Sequence, residues 1–286
     1  MAVRSTPLTC AGHTRPVVHL SFSPMHDEGT YLLVSSCKDG NPMLRDWRGD
    51  WVGTFVGHKG AVWQTKLSSD GSRALSGSAD FTAKLWDTFS GDALLSLPHE
   101  HIVRTVALGP GGARGLTGGQ EKKVRLWDLR RAGESADNAA ATNGAGKKTN
   151  GTTGNEPSFL KAPNLQTAHE GTVKSVIWAA ENLGVSTGDD GVVRWWDLRT
   201  LASPVSIKLP EPPTSMELSV PTSTLIITHG KTVSFLPLAG PDSGPGHQVP
   251  LAFAPSSASV HPVLGDRRRG ARGVQGSPWP CALCRV

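Results

Sequence analysis

Apolar and polar residues alternate over short stretches of this chain, as in KVRLW at 123–127, and turn-forming clusters separate the stretches: SPMHDEG at 23–29, SSDGS at 68–72, GPGG at 109–112. A period of two broken by Gly, Pro, Asp and Ser predicts short antiparallel strands. Composition points the same way, because 33 Gly and 21 Pro in 286 residues favour many tight turns over long helices. The length suffices for one large β domain with a sizeable core.

The strands are organised by a repeat. GHKGAVW from 57 leads to SADFTAKLWD ending at 87, HEHIVRTV from 99 to GGQEKKVRLWD ending at 128, and AHEGTVKSV from 168 to GDDGVVRWWD ending at 197. From His to Trp the spacing is 28 residues for His58 and Trp86, 28 for His99 and Trp127, and 27 for His169 and Trp196. An acidic residue stands six before each Trp (Asp80, Glu121, Asp190), and a hydroxyl four before that (Ser76, Thr117, Ser186). A first unit keeps His13, Ser35 and Asp39 but has Arg45 where the Trp should be.

Ser, His and Asp are also the residues of a hydrolytic triad, so an enzyme is the competing reading. Repetition separates the two. A catalytic centre is needed once, whereas this quartet occurs in three units and partly in a fourth, with no G-x-S-x-G elbow beside it. A chain of hydrogen bonds from Asp through His and Ser or Thr to the indole satisfies buried polar groups at one edge of a four-stranded sheet. The quartets are therefore expected to hold strands together, in the pattern of a WD40 repeat, one propeller blade per unit.

The runs TPLTCAGHTRPVV, CKDGNPML, GDWVGTFVGHKGAVW, SADFTAKLWD and HIVRTV closely resemble the serine/threonine kinase receptor-associated protein family, densely over residues 6–128 and more thinly to about 262. The resemblance implies a seven-bladed, non-catalytic adaptor that works in the survival-of-motor-neurons complex, which assembles spliceosomal small nuclear ribonucleoproteins for mRNA splicing and processing, and in transforming-growth-factor (TGF-β) receptor signalling. It also implies a cytoplasmic and nuclear location. The small WD40 subunit of translation initiation factor 3 is the alternative within the same architecture.

Later units are weaker. SMELSVPTSTLIITHGKTVSFLPL at 215–238 reads as a fifth blade of four short strands with Phe235 near the Trp position, and a sixth begins with LAFAPSSASVHP at 251. Residues 132–158 lack large apolar side chains and read as a disordered insert between the third blade and the fourth. Residues 1–263 are thus expected to form an all-β propeller, C-terminally incomplete, with about five blades and part of a sixth. From about Asp266 every blade feature is lost, and 264–286 reads as a disordered, non-homologous tail. A ring that Val3–Thr9 cannot close should leave strand edges exposed and the chain unstable or dependent on a partner.

The formal charge of +5 changes little, because the tail holds five Arg (267, 268, 269, 272, 285) against Asp266, or +4 of it. An RNA-associated role through this tail remains the second function, but RRRGAR is shorter than the basic runs that support one. The propeller itself carries no polyanion signature, so direct nucleic-acid binding is not expected of it. Cys281 and Cys284 lack a second ligand pair, and no metal, cofactor, disulfide framework or membrane span is expected.

One position in each unit carries the functional expectation. Trp63, Arg104 and Lys174 follow the first apolar residue of their strands, and Lys38 precedes a turn acid, as Ala79, Gln120 and Asp189 do in the other units. The four residues Lys38, Trp63, Arg104 and Lys174 should gather on one face as an anchor for acidic proteins or peptides in a multiprotein complex.

Overall fold

The computed structural model describes residues 9–25, 29–130, 158–160, 167–220 and 222–238. Residues 3–8, 132–157, the sixth unit and the tail lie outside the described residues. The described chain folds into five small antiparallel sheets arranged as a five-bladed β-propeller. Blade one comprises β1 (Val17–Phe22), β2 (Leu32–Cys37), β3 (Met43–Asp46) and β4 (Trp51–Thr54). Blade two comprises β5 (Val62–Leu67), β6 (Arg73–Ser78), β7 (Thr82–Asp87) and β8 (Ala93–Pro98). Blade three is β9 (Val103–Leu108), β10 (Arg114–Gly119), β11 (Val124–Asp128) and β12 (Ser158–Leu160); blade four is β13 (Val173–Ala180), β14 (Leu183–Gly188), β15 (Val192–Asp197) and β16 (Ala202–Lys208). Blade five is β17 (Pro213–Ser219), β18 (Thr224–His229) and β19 (Thr232–Pro237).

The first strands of consecutive blades pack side by side, β1 on β5, β5 on β9, β9 on β13 and β13 on β17, so they line a central channel. The cores lie between blades. Trp86 of blade two packs on Val34, Leu44 and Phe55 of blade one and around it, Trp127 on Leu75 and Leu85, and Trp196 on Leu116 and Val124. Each indole is fully or almost fully buried against the preceding blade. Large aromatic area is thus spent on stacking blades.

Polar contacts repeat in the same direction. The Gln64 amide accepts the Val106 N–H (2.7 Å) and Thr105 Oγ1 accepts the Val176 N–H (2.9 Å), each crossing to the next blade. The residue after each turn acid adopts positive φ, at Gly40 (91°), Phe81 (65°), Lys122 (63°) and Gly191 (72°). That twist aims the carbonyls of Phe81, Lys122 and Gly191 at the N–H groups of His99, His169 and Leu209, at 2.9, 3.0 and 2.7 Å.

Two expectations are corrected. The insert does not separate blades three and four: it connects β11 to β12 inside blade three, and Ser158 already pairs with Leu126. Three strand residues after a long polar segment are too few to register as a pattern. Blade five shows three strands in the described residues, starting at Pro213 and not 215. Strands of six or seven residues use up the stretch to 238, leaving no room there for a fourth.

Candidate functional site

The quartets sit at the edge of the propeller where the turn from the second strand to the third meets the loop leading into the first; this edge is called the upper face below. In blade two, the Trp86 indole N–H donates to Ser76 Oγ (2.8 Å), Ser76 donates to His58 Nε2 (2.7 Å), and His58 Nδ1 donates to Asp80 Oδ2 (2.8 Å). Blade four repeats it with Trp196 to Ser186 (2.8 Å), Ser186 to His169 (2.7 Å) and His169 to Asp190 (3.0 Å). Burial alone would raise the carboxyls of Asp80 and Asp190, but bonds from the histidines and from nearby backbone N–H groups outweigh it and hold both below the ordinary range. Ser76 and Ser186 are fully buried, with no room for a substrate at the hydroxyl.

Blade three departs from this. His99 still takes the Thr117 hydroxyl (2.8 Å), which accepts the Trp127 N–H (2.8 Å), but its Nδ1 donates to the Leu97 carbonyl (2.9 Å). Glu121 instead accepts Arg125 Nε (2.9 Å) and the His101 N–H (3.1 Å). A Glu side chain is one methylene longer than Asp and reaches the guanidinium four residues on. Burial, reinforced by Arg125, pushes His99 down to about 4.

Blade one lacks the indole. His13 lies 2.9 Å from Asp39 and 2.7 Å from Ser35, while Arg45, 6% exposed, turns its N–H groups to the carbonyls of Ala11 and Gly49. In blade five the strand pairing puts Leu209, Ile227 and Leu236 where blade two has His58, Ser76 and Trp86. Leu236, one residue past Phe235, is therefore at the Trp position. All three are buried in one apolar cluster with Val185, Val193 and Met216.

The strand pairing also explains how Trp63, Arg104 and Lys174 come together. Each inner strand breaks register after its first residue, at Val17/His19, Val62/Gln64, Val173/Ser175 and Pro213/Ser215, with a matching break opposite Val103. A bulge re-aims the extra side chain. The extra residues are Val18, Trp63, Arg104, Lys174 and Thr214, all facing one channel cavity of about 1030 Å³. The Arg104 guanidinium lies 4.6 Å from the Trp63 ring centroid and Lys38 Nζ 5.6 Å from it. Trp63 is half-buried, and its indole N–H has no partner among the described residues. Lys174 is not on the ring; it pairs with Asp189 at 3.0 Å. His19 also lines the cavity, and burial and the neighbouring charge of Lys66 push it down to about 4.

Several residues of this face escaped the sequence reading. Arg15, Lys59 and Lys122 are exposed on its loops, and like Lys38 and Arg104 they have no carboxylate in ion-pairing distance among the described residues. The acids nearby are committed elsewhere: Asp39 and Asp80 to histidines, Glu121 to Arg125 and Glu100 to Lys123 (2.9 Å). Phe81, 44% exposed, packs against His101 with the rings tilted by 53° and their centroids 5.4 Å apart. Their common signal was position, one or two residues from a quartet His or acid.

Repeated blades stacked by indoles and joined by these quartets define a WD40 β-propeller, and residues 49–87, 91–128 and 163–197 match the WD domain, G-beta repeat. The serine-threonine kinase receptor-associated protein of Homo sapiens is 40% identical over 263 residues, covering 92% of this chain and 67% of the relative. Its counterpart in Dictyostelium discoideum is 39% identical over 260 residues, 90% of this chain and 78% of the relative. The chain belongs to the serine-threonine kinase receptor-associated protein family. Eukaryotic translation initiation factor 3 subunit I of Culex quinquefasciatus is similar at 27% over 203 residues, 68% of this chain and 55% of the relative.

Proposed function

We propose that this protein is a non-catalytic adaptor that holds acidic segments of other proteins on the upper face of blades one to three. The observation that supports the reading is an imbalance of charge: among the described residues Arg15, Lys38, Lys59, Arg104 and Lys122 have no carboxylate partner, while the neighbouring acids are consumed by internal bonds. Trp63, flanked by Lys38 and Arg104, supplies the aromatic anchor. The family membership extends the reading to its settings: spliceosomal ribonucleoprotein assembly in the survival-of-motor-neurons complex, and receptor signalling of the transforming-growth-factor type, in cytoplasm and nucleus. The translation-factor alternative has weaker support, since that relative shares lower identity over a shorter span.

The test is a titration of a fluorescent acidic peptide, followed by anisotropy. Lys38→Glu with Arg104→Glu should weaken binding at least about tenfold, about the effect of losing two desolvated charge contacts, and leave the thermal transition in place. Lys174→Glu should weaken it less, because Asp189 already neutralises that cation. Equal affinity in the double variant and the parent rules the reading out.

A further inference from the structure

Blade one holds a donor set that the spacing of residues does not reveal. His13, Cys37 and Asp39 each offer one ligand atom, and these nitrogen, sulfur and oxygen atoms lie within 4.8 Å of one another. By strand pairing, the Cys37 position is Ser78 in blade two, Gly119 in blade three, Gly188 in blade four and His229 in blade five. The thiol thus appears in the one blade where Arg45 has replaced the indole. In blades two and four the central hydroxyl already accepts an indole N–H. Ser35 has no such donor; as Ser76 Oγ lies 3.4 Å from the Lys84 carbonyl in blade two, Ser35 Oγ lies 3.3 Å from the Met43 carbonyl. It can donate there and accept a hydrogen from His13 Nε2 (2.7 Å). As His58 does with Asp80 in blade two, His13 Nδ1 donates to the Asp39 carboxylate 2.9 Å away; once the imidazole hydrogen shifts to Nε2, where Ser35 accepts its bond, the freed Nδ1 lone pair and the carboxylate can hold a cation between them. Fixing an imidazole through its remote N–H is the usual second-sphere support of a metal ligand, and a mixed nitrogen, oxygen and sulfur set suits zinc.

We propose that His13 Nδ1, the Asp39 carboxylate and Cys37 Sγ bind Zn²⁺ at the upper edge of blade one, with water as the fourth ligand. On binding, Cys37 releases its proton to solvent and gives up its bond to the Arg15 carbonyl (2.9 Å). The nitrogen and oxygen ligands separate to about 3.3 Å, the edge of a tetrahedron with bonds near 2 Å. The His13 and Asp39 side chains are 9% and 8% exposed, which leaves the ion a path from solvent. The ion supplies the clamp that the indole provides in blades two and four.

The experiment is Co²⁺ titration of the full chain, read by thiolate-to-metal charge transfer, with Zn²⁺ competition for affinity. Cys37→Ser is the decisive variant, because Ser78 in blade two bonds the Gly60 carbonyl (3.2 Å) from the same position and the fold is expected to survive. The parent should show the charge-transfer band and a raised melting temperature with Zn²⁺. Cys37→Ser should lose the band and bind at least about tenfold more weakly, while Cys281→Ser with Cys284→Ser keeps it. No band in the parent, or a band that follows Cys281 and Cys284, overturns the proposal.

Discussion

Blades two and five solve the same packing problem with opposite chemistry. In blade two, His58, Ser76 and Trp86 form a buried hydrogen-bonded chain ending on Asp80; in blade five, Leu209, Ile227 and Leu236 occupy those places with no polar atom among the three side chains. Both seams exclude water and both bury a large side chain against the preceding blade. They differ in how they fail. A polar chain is cooperative, so deleting one member orphans its neighbours in a low-dielectric site, whereas an apolar seam loses area in proportion to what is removed.

Mutations can break or sharpen that contrast. Trp86→Ala should have the largest effect, destabilising by about 3–5 kcal/mol through cavity formation and leaving Ser76 short of a donor, as urea unfolding would show. Ser76→Ala removes only an oxygen, yet it orphans both His58 Nε2 and the Trp86 N–H, at about 1–3 kcal/mol for each group. Ile227→Val in blade five, also a small truncation of a buried side chain, should cost only about 0.5–1.5 kcal/mol. If the two small truncations cost the same, cooperativity in the polar chain is absent.

Asp80→Asn should weaken the blade-two chain through His58, whose Nδ1 it accepts (2.8 Å), whereas Glu121→Gln should act through the buried Arg125 guanidinium it leaves without a counter-charge and not through His99, to which Glu121 makes no bond. The pH dependence follows from the same groups. His99 and His19 are lowered to about 4 in the folded state, so the unfolded chain binds more protons between 6.5 and about 4, and stability should fall as pH falls through that window. Below it, the depressed carboxyls of Asp80 and Asp190 add a second loss as they are protonated. A urea midpoint that stayed flat from pH 7 to pH 4 would contradict the burial of the two histidines. The smallest effect belongs to the upper face: Lys38→Glu with Arg104→Glu should change stability by no more than about 0.5 kcal/mol, as for surface positions generally.

The polar blades were legible in the chain because His, Trp and Asp are conspicuous and recur at nearly constant spacing. Blade five was only partly legible, since Leu and Ile fit any buried position and carry no register; Phe235 drew attention when Leu236 was the equivalent residue. The insert was read from composition, but the three residues that place it inside blade three gave no periodic signal. At the candidate site, Trp63, Arg104 and Lys174 could be aligned by position, yet nothing in the spacing showed that Asp189 neutralises Lys174 or that Arg104 lies over the Trp63 ring.

By itself the sequence determined the repeating unit, the His, hydroxyl and Trp positions that recur in blades two to four, and the propeller architecture, because those rest on local spacing copied along the chain. Tertiary structure decided which acid meets which base, Glu121 with Arg125 and Lys174 with Asp189, and it brought Cys37 to the expected pair of His13 and Asp39. Such pairings depend on side-chain reach across turns and strands over distances of a few ångströms. One methylene or one missing indole redirects them, and neither leaves a trace in the period.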